Sequence, residues 1–381
     1  MDRRRPLAYA SLAAALLFGW QWLTVRVNYG GNWTALYCTG AVLGVPDTLS
    51  AEHVYQFPHS YGYDGQMYHY VAHDPLIRTE DLKAHVDNPS LRYRRILVPG
   101  LAYLLACGRA DWVDPAYYAL ILLFTAGGVY WTAACCRANG RAAAWGIVFL
   151  LLPATLASMD RMVVDVVLAA LVAAFVWHVR TPSWRLFVVL AAAALVRETG
   201  FLLPAAYCGY LLLRHRFAQA AAYALAVVPA LAWYAYIRLH TSPASFTLNP
   251  IPLSAIWTNW LHPLVYPPAV RLKWLAPIGD RLALIGMMMA FALALYRSVT
   301  RRFDPVALAT LSFVAMGVLL QRNEIWAHVY DYGRVYSPVL VFLGLASFER
   351  RPWIALVPLA LMLPRIGMQL GGQILGVVHW L

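Results

Sequence analysis

Apolar residues recur along this chain in long stretches, which short, arginine-rich polar segments separate. Many stretches approach the ~20 residues that a helix needs to cross a bilayer. The pattern predicts an all-α polytopic membrane protein with about ten or eleven spanning segments. The first stretch, residues 7–25, lacks a clear small-residue cleavage site, so we interpret it as an uncleaved helix rather than a signal peptide.

The basic clusters predict the orientation of the chain. They lie at residues 3–5, 137–141, 180–185, 214–216, 297–302 and 350–351. The positive-inside rule places all six on the cytoplasmic side, together with the N-terminus, so an even number of crossings must separate each pair. Three apolar stretches lie between the first two clusters, and one of them therefore does not cross. We expect the short stretch 96–107 to be an interfacial or re-entrant helix.

This topology treats residues 1–381 as a single transmembrane domain. Its parts are a large first extracytoplasmic loop with short interfacial helices at 28–115, central helices at 116–237, an outer loop at 238–276 and C-terminal helices at 277–381. Residues 185–213 must then cross twice within 29 residues. A broken hairpin that turns at Arg197 satisfies this if its irregular backbone lines a cavity. The alternative is one long helix, which would reverse every later loop.

Composition excludes several classes of protein. Hydrophobic residues make up 61% of the chain and charged residues 13%, against about 25% charged residues in soluble domains. The net charge of +12 comes from arginines between apolar stretches, so we expect no nucleic-acid partner. The five cysteines show no CxxC spacing and predict neither a disulfide framework nor a zinc site.

The first loop contains the segment YGYDGQMYHY at residues 61–70. Glycines on both sides of Asp64 allow a sharp turn that presents this carboxylate. The nearby Tyr63 and Tyr68 suit a sugar or an interfacial lipid, because each ring has an apolar face and a polar tip. The alternative is that Asp64 caps a turn and that the tyrosines form an interfacial belt.

Three arginines, Arg92, Arg94 and Arg95, stand on the outer side just before an apolar stretch. The positive-inside rule disfavours this placement, so we expect an anionic partner. A lipid phosphate suits them, because guanidinium groups form charge-assisted, bidentate hydrogen bonds with phosphate. Lipid headgroups in general, or nearby carboxylates, are the alternatives; the carboxylates are Asp74, Glu80, Asp81 and Asp87.

Arg197 and Glu198 lie within apolar sequence. A charge in the middle of the bilayer costs about 2.5–3.5 kcal/mol on insertion scales, so these residues should line a polar cavity that contacts a ligand, or pair with each other or with another helix. A further polar group near the last large outer loop, His328, Asp331 and Arg334, is expected either to contact the same ligand or to form a solvated loop.

Two further carboxylates, Asp160 and Asp165, follow an apolar stretch near a predicted outer loop. The two carboxylates are five residues apart, about 140° around a helix, so they do not share a face. Arg161 and Asp165 are spaced i,i+4 and would pair on a helix. We therefore assign the functional role to Asp160 and a structural role to Asp165.

Two segments together resemble a known family. YDGQMY at 63–68 and RYRRILVP at 92–99 are similar to a group of bacterial membrane proteins regarded as relatives of the GT-C glycosyltransferases, which use polyprenyl-phosphate sugars. The segment RET at 197–199 also looks like that group. The resemblance is sharp over 61–99, moderate near 197–199 and only architectural elsewhere. It implies a helical bundle in the bacterial cytoplasmic membrane, with the polar first loop and the active site on the outer face.

The resemblance also implies roles for particular residues. Asp64 matches the acidic residue that serves as catalytic base, with Asp160 as a second candidate. The donor phosphate would be bound by Arg92, Arg94, Arg95 and Arg197. The remaining pocket residues would be Tyr63, Gln66, Tyr68, His69, Glu198, His328, Asp331 and Arg334.

The expected partners are a polyprenyl-phosphate sugar, membrane lipids and an acceptor that is a glycan, a lipid or a protein. No cofactor is required, because arginines can stabilise the leaving phosphate, although a divalent metal is compatible with the chemistry. His69 and His73, spaced i,i+4, would bind a metal if helical, but the sequence lacks a third ligand at convincing spacing, so no metal ligands are assigned. A transporter of lipids or lipid-linked sugars, and a non-catalytic partner in envelope polysaccharide assembly, remain alternative functions.

Overall fold

The computed structural model describes residues 4–243, 251–266, 274–300, 304–347 and 352–380. Within these ranges the chain is almost entirely helical. Its α-helices are α1 (Arg4–Asn28), α2 (Asp64–His73), α3 (Glu80–Ala84), α4 (Pro89–Arg92), α5 (Leu97–Leu105), α6 (Ala110–Ala138), α7 (Pro153–Arg161), α8 (Asp165–His178), α9 (Trp184–Val196), α10 (Leu202–Leu213), α11 (Phe217–Ala224), α12 (Val228–His240), α13 (Ser254–Leu261), α14 (Ala276–Thr300), α15 (Pro305–Leu319), α16 (Asn323–Ala327), α17 (Val329–Ser347), α18 (Pro352–Gln369) and α19 (Gly371–Trp380).

Short 3-10 helices and one small sheet complete the fold. The 3-10 helices are Trp33–Tyr37, Asp47–Glu52, Ala143–Leu151, Glu198–Phe201 and Leu225–Val227. Strands β1 (Thr39–Gly40) and β2 (Gln56–Phe57) pair in parallel within the first loop. The described cysteines, which are all five of the chain, are free thiols, in agreement with the prediction that they form no disulfide framework.

Several helices have the length and composition of membrane spans. Among the described residues, four helices qualify: Arg4–Asn28, Ala110–Ala138, Phe217–His240 and Ala276–Thr300. The number rises to six if two bent helix pairs, one ending at Arg161 and one at Trp380, each form one span. This confirms the coarser prediction of an all-α polytopic membrane protein. The expected count of ten or eleven spans stays a prediction.

Helix α8 lies at the centre of the bundle. Its residues from Asp165 to Val176 are all buried, and it packs against α6, α7, α9 and α17. Alanine and valine fill most of its sequence. Small side chains allow neighbouring helices to approach closely, as helices packed in membranes commonly do. The N-terminal residue of this buried helix is a carboxylate, and the charged groups of the site gather around it.

The chain breaks between α9 and α10 at the position that the sequence indicated. Arg197 is extended, with φ −170° and ψ 165°, between Val196 and a 3-10 turn. Gly200 then packs against the backbone of Ala193, where a Cβ atom would collide with the carbonyl oxygen. One continuous helix over 185–213, the alternative considered above, is therefore wrong.

The first loop, which joins α1 to α6 along the chain, consists largely of short helices. Helix α5 has nine residues, about 13 Å at 1.5 Å per residue, which is too short to cross a hydrocarbon core of about 30 Å. Asn88 caps α4 by accepting a hydrogen bond from the Leu91 N–H, and Pro89 occupies the first turn. A small apolar cluster that includes Met67, Tyr70 and Tyr93 holds these short helices together.

Some sequence predictions fall on residues outside the described ranges. These are the basic residues at position 3, at 301–302 and at 350–351, and parts of the outer loop at 238–276. The orientation of the chain in the membrane, the domain division and the cytoplasmic location of the N-terminus stay predictions.

Candidate functional site

Asp64 is the first residue of α2, and the two flanking glycines position it for different reasons. Gly62 has φ +80°, a left-handed conformation that favours glycine. At Gly65, a Cβ atom would collide with the carbonyl oxygen of Arg161, so glycine lets α2 approach the end of α7 closely. The predicted turn is present, but Asp64 does not project into open space: its side chain is 17% exposed.

Two arginines from distant parts of the chain bind the Asp64 carboxylate. Arg92 Nη2 lies 2.8 Å from Oδ1, and Arg334 Nη2 lies 2.6 Å from Oδ2. Burial alone would raise the pKa of Asp64, but the charges of Arg334 and Arg92 outweigh it and hold the pKa well below its usual value. Asp64 is therefore a carboxylate at neutral pH, and it accepts hydrogen bonds on both oxygens.

The ion pairs continue from Arg334 to the start of α8. Arg334 lies 3.2 Å from Asp165 Oδ2 and 3.2 Å from Asp331 Oδ1. Arg197 Nη1 contacts the other Asp165 oxygen. Six side chains thus form a connected, largely buried group, which we call the Asp64 cluster: Asp64, Arg92, Asp165, Arg197, Asp331 and Arg334.

The arginines expected to bind the donor phosphate differ in their pairing. Arg92 forms a bidentate pair with Asp87, at 2.8 and 2.7 Å, which is one of the alternatives weighed from the sequence. Arg95 Nε lies 3.2 Å from Glu198, and its Nη1 donates to the Tyr68 hydroxyl at 2.8 Å. Arg197 and Glu198 therefore pair with other parts of the chain and not with each other.

Arg94 is different from these three arginines. Its guanidinium lies over the ring of Tyr234, with Cζ 5.3 Å from the ring centroid. Its Nε is buried without a hydrogen-bond partner, and no carboxylate of the described ranges lies within ion-pair distance of it. Arg94 is therefore a cation available to an anionic ligand beside the Arg95–Glu198 pair.

Asp160, the second predicted carboxylate, lines a cavity of about 660 Å³ next to the Asp64 cluster. The cavity is bordered by both apolar and polar side chains, among them Tyr29, Cys38, Phe57, Asp160, Arg161 and Gln373. Asp160 accepts hydrogen bonds from Tyr330, at 3.3 Å, and from Gln373, and lies 3.2 Å from Arg161 Nε. The volume of the cavity falls in the range of small-molecule pockets, about 300–1,000 Å³.

Tyr63 connects the cavity to the Asp64 cluster. Arg161, which lines the cavity, stacks on the ring with Cζ 4.5 Å from the centroid, and Arg334 stacks on it at 4.9 Å. The Tyr63 hydroxyl donates to Asp331 Oδ1 at 2.5 Å. The cavity therefore opens beside the residue that precedes Asp64.

The prediction that Arg161 and Asp165 pair on a helix is wrong. Helix α7 ends at Arg161, and Met162 then adopts a left-handed conformation, with φ 47°, before α8 begins at Asp165. The break directs Arg161 to Asp160 and leaves Asp165 to pair with two arginines from other helices. The structural role of Asp165 and the functional role of Asp160 stay predictions.

Three predicted pocket residues lie elsewhere. The buried Gln66 accepts a hydrogen bond from the Gly40 N–H, at 3.0 Å, and so supports the small sheet. His328 is exposed, and its ring forms no hydrogen bond or ion pair with the part of the chain that the structure describes. His69 lies on the other side of α2, away from Asp64. Burial lowers the pKa of His69, but Asp114 and Glu52 outweigh this effect and raise it to about 9.

Sequence reasoning missed several residues that complete these sites. Tyr330 and Gln373 bind Asp160 across separations of 170 and 213 residues, and Tyr234 supports Arg94 from α12. No local pattern marks such partners. The described residues also contain one group whose ligand atoms, within 4.8 Å of one another, suit a metal ion: Glu52, His69, His73 and Asp114.

Comparisons with family models, with curated proteins and with solved structures give no significant match. The similarity of residues 61–99 to relatives of the GT-C glycosyltransferases therefore stays a prediction from the sequence, and the function has to be argued from the site itself.

Proposed function

We propose that this protein is an integral membrane glycosyltransferase that moves a sugar from a polyprenyl-phosphate donor to a hydroxyl group at the outer face of the bacterial cytoplasmic membrane. The observation that carries the proposal is a buried carboxylate, Asp64, bound by arginines from separate elements next to a cavity large enough for a sugar. The resemblance of residues 61–99 to the GT-C relatives supports the same chemistry.

The leaving phosphate needs cationic groups that are not already neutralised. Arg92, Arg197 and Arg334 each contact a carboxylate, so a phosphate would have to displace an existing ion pair. Arg94 has no such partner among the residues that the structure describes, and Arg95 beside it pairs with Glu198 on one edge only. We therefore assign the phosphate to Arg94 and Arg95, which would stabilise the negative charge that develops as the bond from sugar to phosphate breaks.

Asp64 would receive the proton of the acceptor. In the transfer, the acceptor oxygen bonds to the anomeric carbon, the bond from that carbon to the phosphate oxygen breaks, and polyprenyl phosphate leaves with the bonding electrons. The acceptor hydroxyl becomes acidic as its new bond forms, so an ionised carboxylate can take its proton even though Arg92 and Arg334 make it a weak base. The same arginines hold the Asp64 oxygens in place.

The cavity at Asp160 would hold the sugar. Sugars are bound by hydrogen-bonding groups beside aromatic faces, and the cavity presents Asp160, Arg161 and Gln373 together with Tyr29 and Phe57. Arg161 is fixed between the rings of Tyr63 and Tyr330, at 4.5 and 5.2 Å. In this assignment Asp160 orients the sugar, and Asp64 is the base.

The test uses purified protein in lipid nanodiscs and a panel of short-chain polyprenyl-phosphate sugars. Donor binding and release of polyprenyl phosphate are measured with cell-envelope extract as the source of acceptor. We expect wild type to bind a donor and release the lipid phosphate, Asp64→Asn to bind without release, and Arg94→Gln to bind the donor at least about 10-fold more weakly.

Asp87→Asn is the matched control. Asp87 also pairs with Arg92, but its side chain is 41% exposed and lies outside the Asp64 cluster, so release should stay within about 3-fold of wild type. The proposal is overturned if wild type binds none of the donors, or if it binds one without release in the presence of extract. Equal release by wild type and Asp64→Asn would remove Asp64 from the base role.

A further inference from the structure

A second group of ionisable side chains lies on the other side of α2 from Asp64. His69 Nε2 is 3.1 Å from Asp114 Oδ1 and 3.4 Å from Glu52 Oε2. His73 Nδ1 is 3.2 Å from Glu52 Oε1, and its Nε2 is 3.5 Å from Asp114 Oδ1. We call these four residues the Glu52 cluster. They come from the end of a 3-10 helix, from α2 and from the second turn of α6.

The cluster contains buried polar atoms without hydrogen-bond partners. The His69 side chain is fully buried, and neither of its ring nitrogens has a hydrogen bond of acceptable geometry. His73 Nε2 and Glu52 Oε2 are also buried without such a bond. An unpaired buried polar group costs about 1–3 kcal/mol. A single ion could bind one nitrogen of His69 together with His73 Nε2 and Glu52 Oε2, and would satisfy three of these four atoms.

One atom from each of the four residues can reach a common ion. When each residue offers one ligand atom, these atoms all lie within 4.8 Å of one another. Zinc binds imidazole nitrogen and carboxylate oxygen at about 2.0–2.2 Å, which in a tetrahedral site separates the ligand atoms by about 3.3–3.6 Å, so binding would draw the four groups slightly together. In a purely hydrogen-bonded cluster, the N–H groups would point at the carboxylate oxygens.

Neighbouring groups hold two of the ligands in orientation. The Tyr37 hydroxyl donates to Asp114 Oδ1 at 2.9 Å, and the Tyr37 ring stacks on His69 with centroids 4.2 Å apart. Such contacts fix the direction in which a ligand presents its lone pair, and metal sites depend on them. A bound divalent ion would displace the proton that the raised pKa of His69 implies for the metal-free cluster. Two neutral imidazoles, two carboxylates and the ion then leave the buried cluster without net charge.

We propose that Glu52, His69, His73 and Asp114 bind a divalent transition-metal ion, for which zinc is the best match. The two imidazoles disfavour magnesium and calcium, which prefer ligand sets made of oxygen. All four positions are filled by protein side chains, as in structural zinc sites. The ion would tie the first loop and α2 to the start of α6, and so fix the helix that begins with Asp64.

The experiment measures metal binding directly and does not depend on the proposed enzymatic activity. The full-length protein is purified with a tag that contains no histidine, dialysed against zinc-free buffer, and analysed for metal by mass spectrometry. The metal-free protein is then titrated with Zn²⁺ and with Co²⁺, because tetrahedral Co²⁺ absorbs strongly in the visible region. We expect about one ion per chain and a tetrahedral Co²⁺ spectrum.

The variants are His73→Ala, Asp114→Asn and the conservative Glu52→Gln, and the control is His85→Ala. His85 belongs to the same loop and pairs with Asp81, at 3.4 Å, without contacting the cluster. We expect each ligand variant to bind Zn²⁺ at least about 10-fold more weakly and the control to bind it as wild type does. A chelator should lower the thermal midpoint of wild type and of the control, but not that of His73→Ala.

Either of two results overturns the proposal. One is wild-type protein that binds no stoichiometric metal and has the same thermal midpoint with and without chelator, which would make the cluster a set of His–carboxylate hydrogen bonds. The other is metal that binds equally to wild type and to all three ligand variants, which would place it elsewhere on the surface. Glu52→Gln keeps the size of the side chain and provides the comparison if His73→Ala does not fold.

Discussion

Helix α2 carries two buried ionisable clusters on opposite sides, and their chemistry differs. Asp64 is its first residue, and His69 and His73 lie about 140° and 180° further around the axis. The Asp64 cluster joins carboxylates to arginines, whereas the Glu52 cluster joins carboxylates to imidazoles. One ten-residue helix thus connects a permanently charged network to a group of metal-ligand type.

The difference follows from the side chains themselves. Arginine is protonated at all relevant pH values and has no lone pair to give to a metal, so Arg92 and Arg334 pair with carboxylates and cannot bind a metal ion. A neutral histidine offers one lone pair and binds transition metals readily. A buried carboxylate beside arginine therefore has its charge neutralised by the protein itself. A buried carboxylate beside histidine can instead bind a metal ion together with the imidazole.

The largest expected effect concerns the base role of Asp64. Asp64→Asn keeps the size and the buried position of the side chain but cannot take a proton. We expect release of polyprenyl phosphate to fall about 10²–10⁴-fold, the range for loss of a positioned general base. His73→Ala, which alters the other side of α2, serves as the comparison: a loss as large in His73→Ala would break the separation of the two clusters.

Arg334→Ala should give the largest loss of stability. Arg334 contacts Asp64, Asp165 and Asp331, and its removal leaves buried carboxylates without their shared cation. We expect a loss of about 3–5 kcal/mol in the free energy of unfolding, measured by equilibrium unfolding in mixed micelles. Lys83→Ala removes an exposed ion pair with Glu80 and should change the free energy of unfolding by less than about 1 kcal/mol. Similar losses in both variants would contradict the structural role of Arg334.

Gly65 lies between the two clusters, so a change there should disturb both. Gly65→Ala forces α2 away from the carbonyl oxygen of Arg161, and we expect a loss of about 1–3 kcal/mol in the free energy of unfolding. Gly209→Ala, in α10, meets no atom within 4 Å and should instead stabilise by about 0.5–1 kcal/mol. Equilibrium unfolding compares the two variants. If Gly65→Ala left the free energy of unfolding unchanged, α2 would not pack closely on α7.

The independence of the two clusters can be measured in a double-mutant cycle of Arg334→Ala and His73→Ala. The two residues share no partner, so their effects on the free energy of unfolding should add within about 0.5 kcal/mol. A coupling energy well above this value would show that α2 transmits changes from one cluster to the other.

The smallest expected effect concerns pH: the contribution of Asp64 to the free energy of unfolding should not change in the neutral range. The folded pKa of Asp64 is lowered, so its contribution to stability is complete above the unfolded value of about 3.9 and is lost as pH falls through the folded value. The difference in unfolding free energy between wild type and Asp64→Asn should therefore be constant from about pH 5 to 8 and decrease only in stronger acid. A change in this difference near pH 6 would contradict the pairing of Asp64 with two arginines.

Local sequence signals predicted the elements of the site better than its contacts. The glycines beside Asp64, the break at Arg197 and the short helix after Arg95 all follow from backbone preferences and segment lengths that one stretch of sequence contains. The pairing of Arg161 with Asp165 was predicted wrongly, because a single left-handed residue, Met162, ends the helix that the spacing rule assumes.

The contacts that the sequence did not predict are those between residues far apart in the chain. The histidine pair on α2 was visible as i,i+4 spacing, but Glu52 and Asp114 lie 17 residues before His69 and 41 residues after His73, and only folding brings them together. Arg334 likewise reaches Asp64 across 270 residues. Neither contact has a local pattern, since the ends of packed helices meet wherever the bundle places them.

Composition and local pattern were enough to predict that the chain is helical and apolar, and to identify the ionisable residues between its first apolar stretches. These properties depend on composition and on local periodicity, which the bilayer constrains strongly because backbone polar groups must be satisfied within each span. The three-dimensional packing was needed to show that Arg92 is paired while Arg94 meets no carboxylate of the described ranges, and that His69 faces Glu52 rather than Asp64. A charged side chain takes its role from the groups that burial brings beside it, and packing, not local sequence, selects those groups.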